Sequence, residues 1–474
     1  MAYKDLREFL VKLEEEGQLV RVKEEVAPEP NIGAAGRASA NLKNGPAIMF
    51  ENVCGYRNPV VTNVHGSWAN HALMMGMDKN TPIKEQFEEM SRRWDKYPVP
   101  AKHVATAPVL KNVVTENITI FDVVSAYRIN TYDAGFYLSK ASIVSRDPED
   151  PTNWGKQNLG TYRLQIKGKD KLGIQPLPFH DIGLQLSKAE ALNQPLPVAI
   201  TLGNDPMTTF MASTPIKYDQ SEYDFVGALY DGVPMEVTKS PFYGFDIPAG
   251  CEICIEGEIQ PRYREVEGPF GEFPGSYSGA RRQPVVHIKS IAYRDNPIFE
   301  NLYLGIPWSE IDYLMAINTS VPLFKQLQES FPEVKAVNAM YTHGIGCIIS
   351  TGVRFGGFGK TVAMKALTTP HGLAYNKIVI VVDDFVDPFN LEQVMWAMTT
   401  RVDPLKDVVV IPNCPGMPLD PSSNPPGMHN KLIIDATTPK APEIVSRETE
   451  LLTAPAGTKV WEDTITNLLK AKSN

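Results

Sequence analysis

Two glutamates flank a turn in the stretch Arg264-Glu265-Val266-Glu267-Gly268-Pro269-Phe270-Gly271-Glu272-Phe273-Pro274-Gly275. Fully extended, the chain would hold the Glu267 and Glu272 backbones about 17 Å apart. Gly-Pro-Phe-Gly does not run extended, because Pro269 presets φ and the two glycines enter conformations closed to other residues. Folding there brings both carboxylates to the rim of one cavity. A carboxylate pair beside a single cation separates into a proton donor and a charged partner. A solvated hairpin with two incidental glutamates explains the same residues, and local sequence does not choose between them.

A cation for that pair is offered by Asn158-Leu-Gly-Thr-Tyr-Arg163. Strand alternation over 160–166 puts Tyr162, Leu164 and Ile166 on one face and Thr161, Arg163 and Gln165 on the other. A fixed guanidinium lining a barrel interior orients a substrate carboxylate by paired hydrogen bonds, whereas on a solvent-facing strand it does nothing of the kind. Asn158, His180 and Glu222 are oxygen and nitrogen donors suited to a hard or borderline divalent ion. Their spacing is long, and Glu222 reads equally as a first-turn acid of a helix capped by Asp219 or Ser221 and running through Val226. Cys251 and Cys254 fall on a strand, where residues three apart face opposite ways, so they share no metal. Gly356-Gly-Phe-Gly-Lys360 resembles a phosphate loop but lacks the Gly-Lys-Ser/Thr ending. Its free N–H groups and lysine suit one phosphate, or form an ordinary glycine-rich turn.

The elements that must position these groups fall into three regions. A chain of 474 residues, 43% hydrophobic and 21% charged, has the size and composition of a soluble enzyme of about three domains. A net charge of −9 with no basic run excludes a general nucleic-acid binder. No apolar stretch approaches about 18 residues, so no membrane partner is expected. Five cysteines, an odd number, and an amphipathic start in place of a signal peptide point to the cytoplasm.

Residues 1–109 read as an N-terminal α/β domain. Leu6, Phe9, Leu10 and Leu13 repeat at helical spacing before Gly17, strands fall at 47–50 and 59–62, and Ser67 caps a helix. A further helix runs from Pro82 to Trp94, with Thr81 as its cap. Residues 110–305 are strand-rich and suggest a β-barrel or sandwich. Residues 306–450 alternate buried strands (334–338, 346–350, 377–382, 407–411, 431–435) with helices at 360–367 and 391–400, the pattern of a parallel-sheet α/β domain. Residues 451–474 form a C-terminal helix. Its Val460, Trp461, Thr464, Ile465, Leu468 and Leu469 share a side that should dock on another subunit or on the chain's own body.

Taken in order, Asn158 to Arg163, His180, Ser221-Glu222, Glu267-Gly-Pro-Phe-Gly-Glu272, Phe358-Gly-Lys360 and Val382-Asp-Asp-Phe-Val-Asp-Pro-Phe-Asn resemble the UbiD family of prenylated-flavin decarboxylases over nearly the whole chain. Gly66-Ser-Trp-Ala-Asn-His-Ala and Ala339-Met-Tyr-Thr-His-Gly resemble its branch of reversible, non-oxidative hydroxyarylic acid decarboxylases of the large C-subunit type. The resemblance implies an α/β protein whose central split β-barrel holds prenylated FMN and whose C-terminal α/β domain closes over it and serves oligomerisation. It assigns Arg163, Glu267 and Glu272 to catalysis, and Asn158, His180 and Glu222 to Mn2+. Thr161, Tyr162, Gln165, Phe179, Pro215 and Lys360 join the catalytic arginine and the metal ligands as cofactor contacts, with Lys360 on the phosphate side. Phe179 stands where many members carry Gln. K+ is a second expected ion, with carbonyls near Ser213 to Pro215 as candidates, and His343, Pro415, Met417 and Leu419 are candidates to contact substrate.

The implied reaction is reversible loss of CO2 from a hydroxybenzoate (protocatechuate first, also 4-hydroxybenzoate or vanillate) through a covalent adduct with the prenylated flavin. A flavin prenyltransferase supplies the cofactor, and a small accessory subunit and a homodimer or homohexamer are further expected partners. Two other classes stand beside this reading: a two-carboxylate, glycosidase-like hydrolase, and a non-catalytic scaffold subunit of a decarboxylase complex.

Overall fold

The computed structural model describes residues 2–443 and 452–472. The opening helix, Leu6–Glu15, forms as its periodicity requires: Leu6, Phe9, Leu10 and Leu13 are buried, and Asp5 caps it by accepting from the Glu8 N–H. Gly17 follows with φ of 70°, a conformation that glycine enters without strain. Ser67 caps Trp68–Met74 as expected. The helix Ile83–Trp94 begins one residue late, and Thr81 is not its cap. The Thr81 hydroxyl instead donates to the Asp78 carbonyl at 2.6 Å.

Two N-terminal elements escape the pattern reading. The strand Leu19–Val26 is mostly polar on the surface, and the helix Pro28–Ala40 carries prolines and glycines in place of an apolar stripe. Gly33 explains the glycines: a Cβ there would lie 2.4 Å from the Ile129 carbonyl oxygen, so only glycine lets the helix approach that backbone. The N-terminal sheet has four strands in the order Leu19–Val26, Ala47–Val53, Val60–Thr62, Phe299–Glu300. Its last strand arrives from far along the chain, which knits the first and middle regions together.

The middle region is built on a nine-stranded sheet, beside which Asp246–Pro248, Glu236–Lys239 and Lys102–His103 form a separate three-stranded one. The order of the larger sheet runs Tyr137–Leu138, Leu164–Gly168, Lys171–Ile174, Arg281–Tyr293, Ile253–Glu267, Leu196–Leu202, Ser142–Arg146, Gln157–Thr161, and Asn112–Val114 adds to Arg281–Tyr293. Every pairing in it is antiparallel and the order is open at both ends. The single strand expected over 160–166 is two. Gln157–Thr161 ends where the Thr161 N–H leaves the ladder for the Ala212 carbonyl, and Leu164–Gly168 pairs on the opposite side of the sheet. Tyr162 and Arg163 fall in the break.

The third region has five strands in the order Val334–Tyr341, Gly346–Thr351, Ile378–Asp383, Met428–Ala436, Val408–Pro415. The middle three are parallel, but both outer pairings are antiparallel, so the sheet is mixed and not the purely parallel one expected. Helices Phe358–Leu367 and Leu391–Arg401 lie close to their expected places. The final helix, Thr458–Lys472, is exposed along Val460, Trp461, Ile465 and Leu468, so it is not docked on its own body. The junction expected at 450/451 lies outside the described residues. No helix among the described residues is long and apolar enough to cross a membrane.

Where the N-terminal and middle regions meet, a charge cluster replaces hydrocarbon. The buried Lys140 ammonium donates to Glu300 at 2.6 Å, to Glu310, and to Nδ1 of His65 at 2.9 Å. His65 Nε2 donates to the Pro206 carbonyl, so its tautomer is set. Glu310 also accepts the backbone N–H groups of Asn63 and His65. His65, Glu300 and Glu310 could as a geometric set hold a metal ion, but the lysine already occupies their centre.

Burial alone would raise Glu310, yet Lys140 and His65 outweigh it and bring its pKa down to about 2. A depressed carboxylate stabilises the fold fully above its unfolded value of 4.5, and that stabilisation is lost as pH falls towards 2. Lys140→Met strands two buried carboxylates and is expected to cost about 3–5 kcal/mol at neutral pH. The gap in melting temperature between wild type and variant should close as pH drops from 4.5 towards 2. A gap that stays constant over that range contradicts the account.

Candidate active site

Arg163 sits in the break between two strands, with its side chain only 7% exposed. Its Nε and Nη2 donate to the two oxygens of Glu267 at 3.1 and 2.8 Å, a two-point fork that fixes the guanidinium plane. Nη1 donates to Glu272 and Nη2 also reaches the Ser278 hydroxyl at 3.3 Å. The three groups expected to converge therefore do. Burial disfavours the charge on Arg163, but the two carboxylates more than offset it and its pKa rises. Burial pushes Glu272 up while Arg163 pulls it down, and the net result is a raised carboxyl. Two carboxylates share one cation, so one of them is the natural resting place for a proton.

Glu267 closes the long strand Ile253–Glu267, and Glu272 lies in the turn beyond it. That turn is held from three sides. The Gly271 N–H donates to Asp133 at 2.7 Å, the Ala134 N–H donates to the Pro269 carbonyl at 2.8 Å, and the Phe270 N–H donates to Ser278 at 3.2 Å. Gly268 takes φ of 86°, as the glycine-flanked turn requires. Phe270 is fully buried, stacks near Tyr137 at 4.2 Å and lies under the Arg163 guanidinium at 5.3 Å. This is a packed wall and not a solvated hairpin.

The wall faces a cavity of about 470 Å³, within the range of small-molecule sites. Arg163 and Glu272 line it; Glu267 lies behind them. Asn158, His180 and Glu222 line it too. Asn158 comes from the strand Gln157–Thr161, His180 precedes the helix Asp181–Ala191, and Glu222 opens the helix Glu222–Leu229. Neither Ser221 nor Asp219 caps that last helix through its side chain, which removes the capping role considered for its start.

His180 Nδ1 and Glu222 Oε2 are buried without any hydrogen-bond partner, a costly state for polar atoms. Asn158 uses its Nδ2 on Ser145 at 3.2 Å. An amide, an imidazole nitrogen and a carboxylate oxygen make a donor set that fits a divalent cation such as Mn2+. Burial and the adjacent Asp181 carboxylate push Glu222 well above the ordinary range, and burial followed by His371 lowers His180 to about 4. A bound cation would neutralise the first strain and needs the neutral imidazole of the second.

Thr161, Tyr162, Phe179 and Pro215 line the cavity, as do His343, Met417 and Leu419. Three expected residues do not. Gln165 turns away and donates to the Ala134 carbonyl. Pro415 ends the edge strand Val408–Pro415 outside the lining. Lys360 is held by Asp407 at 3.1 Å and Asp435 at 3.6 Å, and a Cβ on Gly359 would strike Asp435. Carboxylates therefore crowd the start of that helix, where a phosphate would be repelled. Of the Ser213–Pro215 carbonyls, that of Ser213 already accepts from Asn318 at 3.2 Å.

Sequence reasoning missed Phe273, His371 and Tyr375, which also line the cavity. Phe273 stacks on His343 at 3.9 Å, and His371 stacks on Tyr375 at 4.4 Å. The one available signal was the four-residue spacing of His371, in the short helix Pro370–Ala374, and Tyr375, the residue that caps its C-terminus.

Three family models match the chain. They are the 3-octaprenyl-4-hydroxybenzoate carboxy-lyase N-terminal domain over residues 10–90, its Rift-related domain over 102–307 and its C-terminal domain over 312–436. A phenolic acid decarboxylase of Sedimentibacter hydroxybenzoicus is 66% identical, over 99% of this chain and 98% of that one. The solved structure of that organism's vanillic acid decarboxylase (ShVdcCD) in closed form, 66% identical, superposes with a TM-score of 0.96 over 99% of this chain and 100% of its own. An evolved dimeric form of the UbiD-class enzyme HmfF from Pelotomaculum thermopropionicum, in complex with prFMN, is 30% identical. Its TM-score is 0.80, over 97% of this chain and 98% of its own.

The turn that carries Glu272 hangs on Asp133, whose two oxygens accept the N–H groups of Gly271 and Asn130. Asp133→Ala leaves both without an acceptor and is expected to lower stability by about 1–3 kcal/mol, read as a shifted urea midpoint. Asp133→Asn keeps one carbonyl acceptor and should fall between wild type and Ala.

Proposed function

The chain belongs to the UbiD family of carboxy-lyases, and on that premise we propose that it decarboxylates a hydroxybenzoate-type acid to the phenol and CO2. The observation that carries the proposal is the buried Glu272–Arg163–Glu267 cluster opening on a cavity that also presents Asn158, His180 and Glu222. A hydrolase would need water between or beside its two carboxylates, whereas here a guanidinium bridges them. Vanillate ranks first among substrates because a 66% identical relative is a vanillic acid decarboxylase, and protocatechuate and 4-hydroxybenzoate follow.

We assign Asn158, His180 and Glu222 to a divalent cation, Mn2+ by choice of ligands, and the adjacent lining of Thr161, Tyr162, Phe179 and Pro215 to prenylated FMN. When bound, that flavin supplies the electron sink that CO2 loss from an electron-rich ring requires. K+ near Ser213 to Pro215, supply of the flavin by a prenyltransferase, a small accessory subunit and a homo-oligomer complete the proposal. The nine-stranded sheet is read as the split barrel, with domains at 1–109, 110–305 and 306–450 and a helix after 451.

This chain's own residues have definable tasks. Arg163, its plane fixed by the two-point bond to Glu267, offers positive charge to the substrate carboxylate. Glu272, whose pKa is raised by burial against the pull of Arg163, is the group at the cavity wall assigned to carry the proton. As CO2 departs, the ring carbon takes that proton, and Glu272 is left as a carboxylate stabilised by Arg163. Uptake of one proton from solvent restores it. Phe270, Phe273 and Leu304 keep bulk water off the reacting carbon. Run backwards, the same groups carboxylate the phenol, so carboxylation under high bicarbonate is part of the proposal.

The test is expression with and without a flavin prenyltransferase, followed by CO2 and phenol assays on the three acids. Activity is expected only with the prenyltransferase, and Glu272→Gln should lose about 10²–10⁴-fold in kcat. Equal activity from both expressions, or an active Glu272→Gln, refutes the assignment. Activity on glycosides by the colourless, chelated protein would instead support the hydrolase.

A further inference from the structure

His180 Nε2 lies 3.2 Å from the Tyr375 hydroxyl, while its Nδ1 is buried and unpartnered. The two residues come from different parts of the molecule: His180 falls in the region matched over 102–307, Tyr375 in that matched over 312–436. The tyrosine is not a loose side chain. Its ring stacks on His371 with planes 10° apart, and Phe179 meets it edge-on at 5.7 Å. The helix Pro370–Ala374 that delivers it is pinned at its C-terminal end by buried Lys431. That ammonium donates to the carbonyls of Gly372, Leu373 and Asn376 at 2.9, 2.9 and 2.8 Å, placing a cation on the negative end of the helix.

A neutral imidazole shows a lone pair at one nitrogen only when the other carries the proton, and that N–H needs an acceptor. Tyr375 Oη is the acceptor that the structure provides for Nε2. We propose that Tyr375 is a positioning residue for His180, supplied by the C-terminal region, which turns Nδ1 towards the cation. Full-strength cation binding therefore requires the C-terminal region to be seated over the cavity. The inference rests on Asn158, His180 and Glu222 being cation ligands. Binding is reciprocal, so the cation favours the seated arrangement by the same factor by which seating favours the cation.

The experiment titrates MnCl2 into the full-length chain in the presence of FMN, with free Mn2+ read by electron paramagnetic resonance. Tyr375→Phe keeps the ring, its stack on His371 and its edge contact with Phe179, and removes only the acceptor. The expected result is Mn2+ affinity weakened roughly 10-fold, with a smaller Mn2+-dependent fall in radius of gyration by small-angle scattering than in wild type. Equal affinity in wild type and Tyr375→Phe overturns the role of Tyr375 and leaves the cation site standing. Wild-type affinity no stronger than that of His180→Ala overturns the cation site itself, and this inference with it.

Discussion

One buried guanidinium, shared unequally by two carboxylates, governs the site. Arg163 cannot be neutralised and cannot reach bulk water, so it must be matched by negative charge at close range. Glu267 provides the match, by a planar two-point bond that also fixes the guanidinium's orientation. Glu272 takes a remaining donor from the open side. Two negative groups against one positive group, in a place too dry to hold the surplus charge cheaply, raise the proton affinity of the acid that lacks the fork. Burial is the larger cause of the raised Glu272 carboxyl, and the neighbouring Glu267 adds to it.

The scaffold around it solves a placement problem. The strand Gln157–Thr161 supplies Asn158, and the break after it at Tyr162 and Arg163 lets Arg163 line the same cavity. Had the strand continued through 160–166, strict alternation would have fixed Arg163 with Thr161 and Gln165 on a common face. Instead Gln165 turns to the Ala134 carbonyl while Thr161 and Arg163 keep the cavity. The opposite wall is a second body of structure: His343, His371, Tyr375, Met417 and Leu419 belong to the C-terminal region and meet the first wall through aromatic contacts such as Phe273 on His343. A cavity built between two regions is a cavity whose contents help decide how those regions sit.

Much of this was legible because short-range physics wrote it into the text. Leu6 to Leu13, Ser67 with its helix and the β-branched runs of the C-terminal sheet show their periods and caps directly. The strand Leu19–Val26 and the helix Pro28–Ala40 were not legible, since one is polar where exposed and the other owes its glycines to a distant carbonyl at Ile129. Thr81 failed as a cap because Asp78 competes for its hydroxyl. The ion pairs of Lys360 were not legible either, since Asp407 and Asp435, more than 40 residues away in the text, fold onto it.

Residue types and order along the chain therefore determined the family, and pointed to the acids and the arginine that converge and to Asn158, His180 and Glu222, which line the same cavity. These depend on chemistry carried by single side chains and on patterns a few residues long. Only the tertiary structure decided that Glu267 stands behind Arg163 while Glu272 faces the cavity, that Lys140 fills what would otherwise be a metal cluster, and that Tyr375 comes to meet His180. Each of those outcomes is a contact between residues remote in the chain. Its energy depends on burial and distance, which no local stretch of sequence contains.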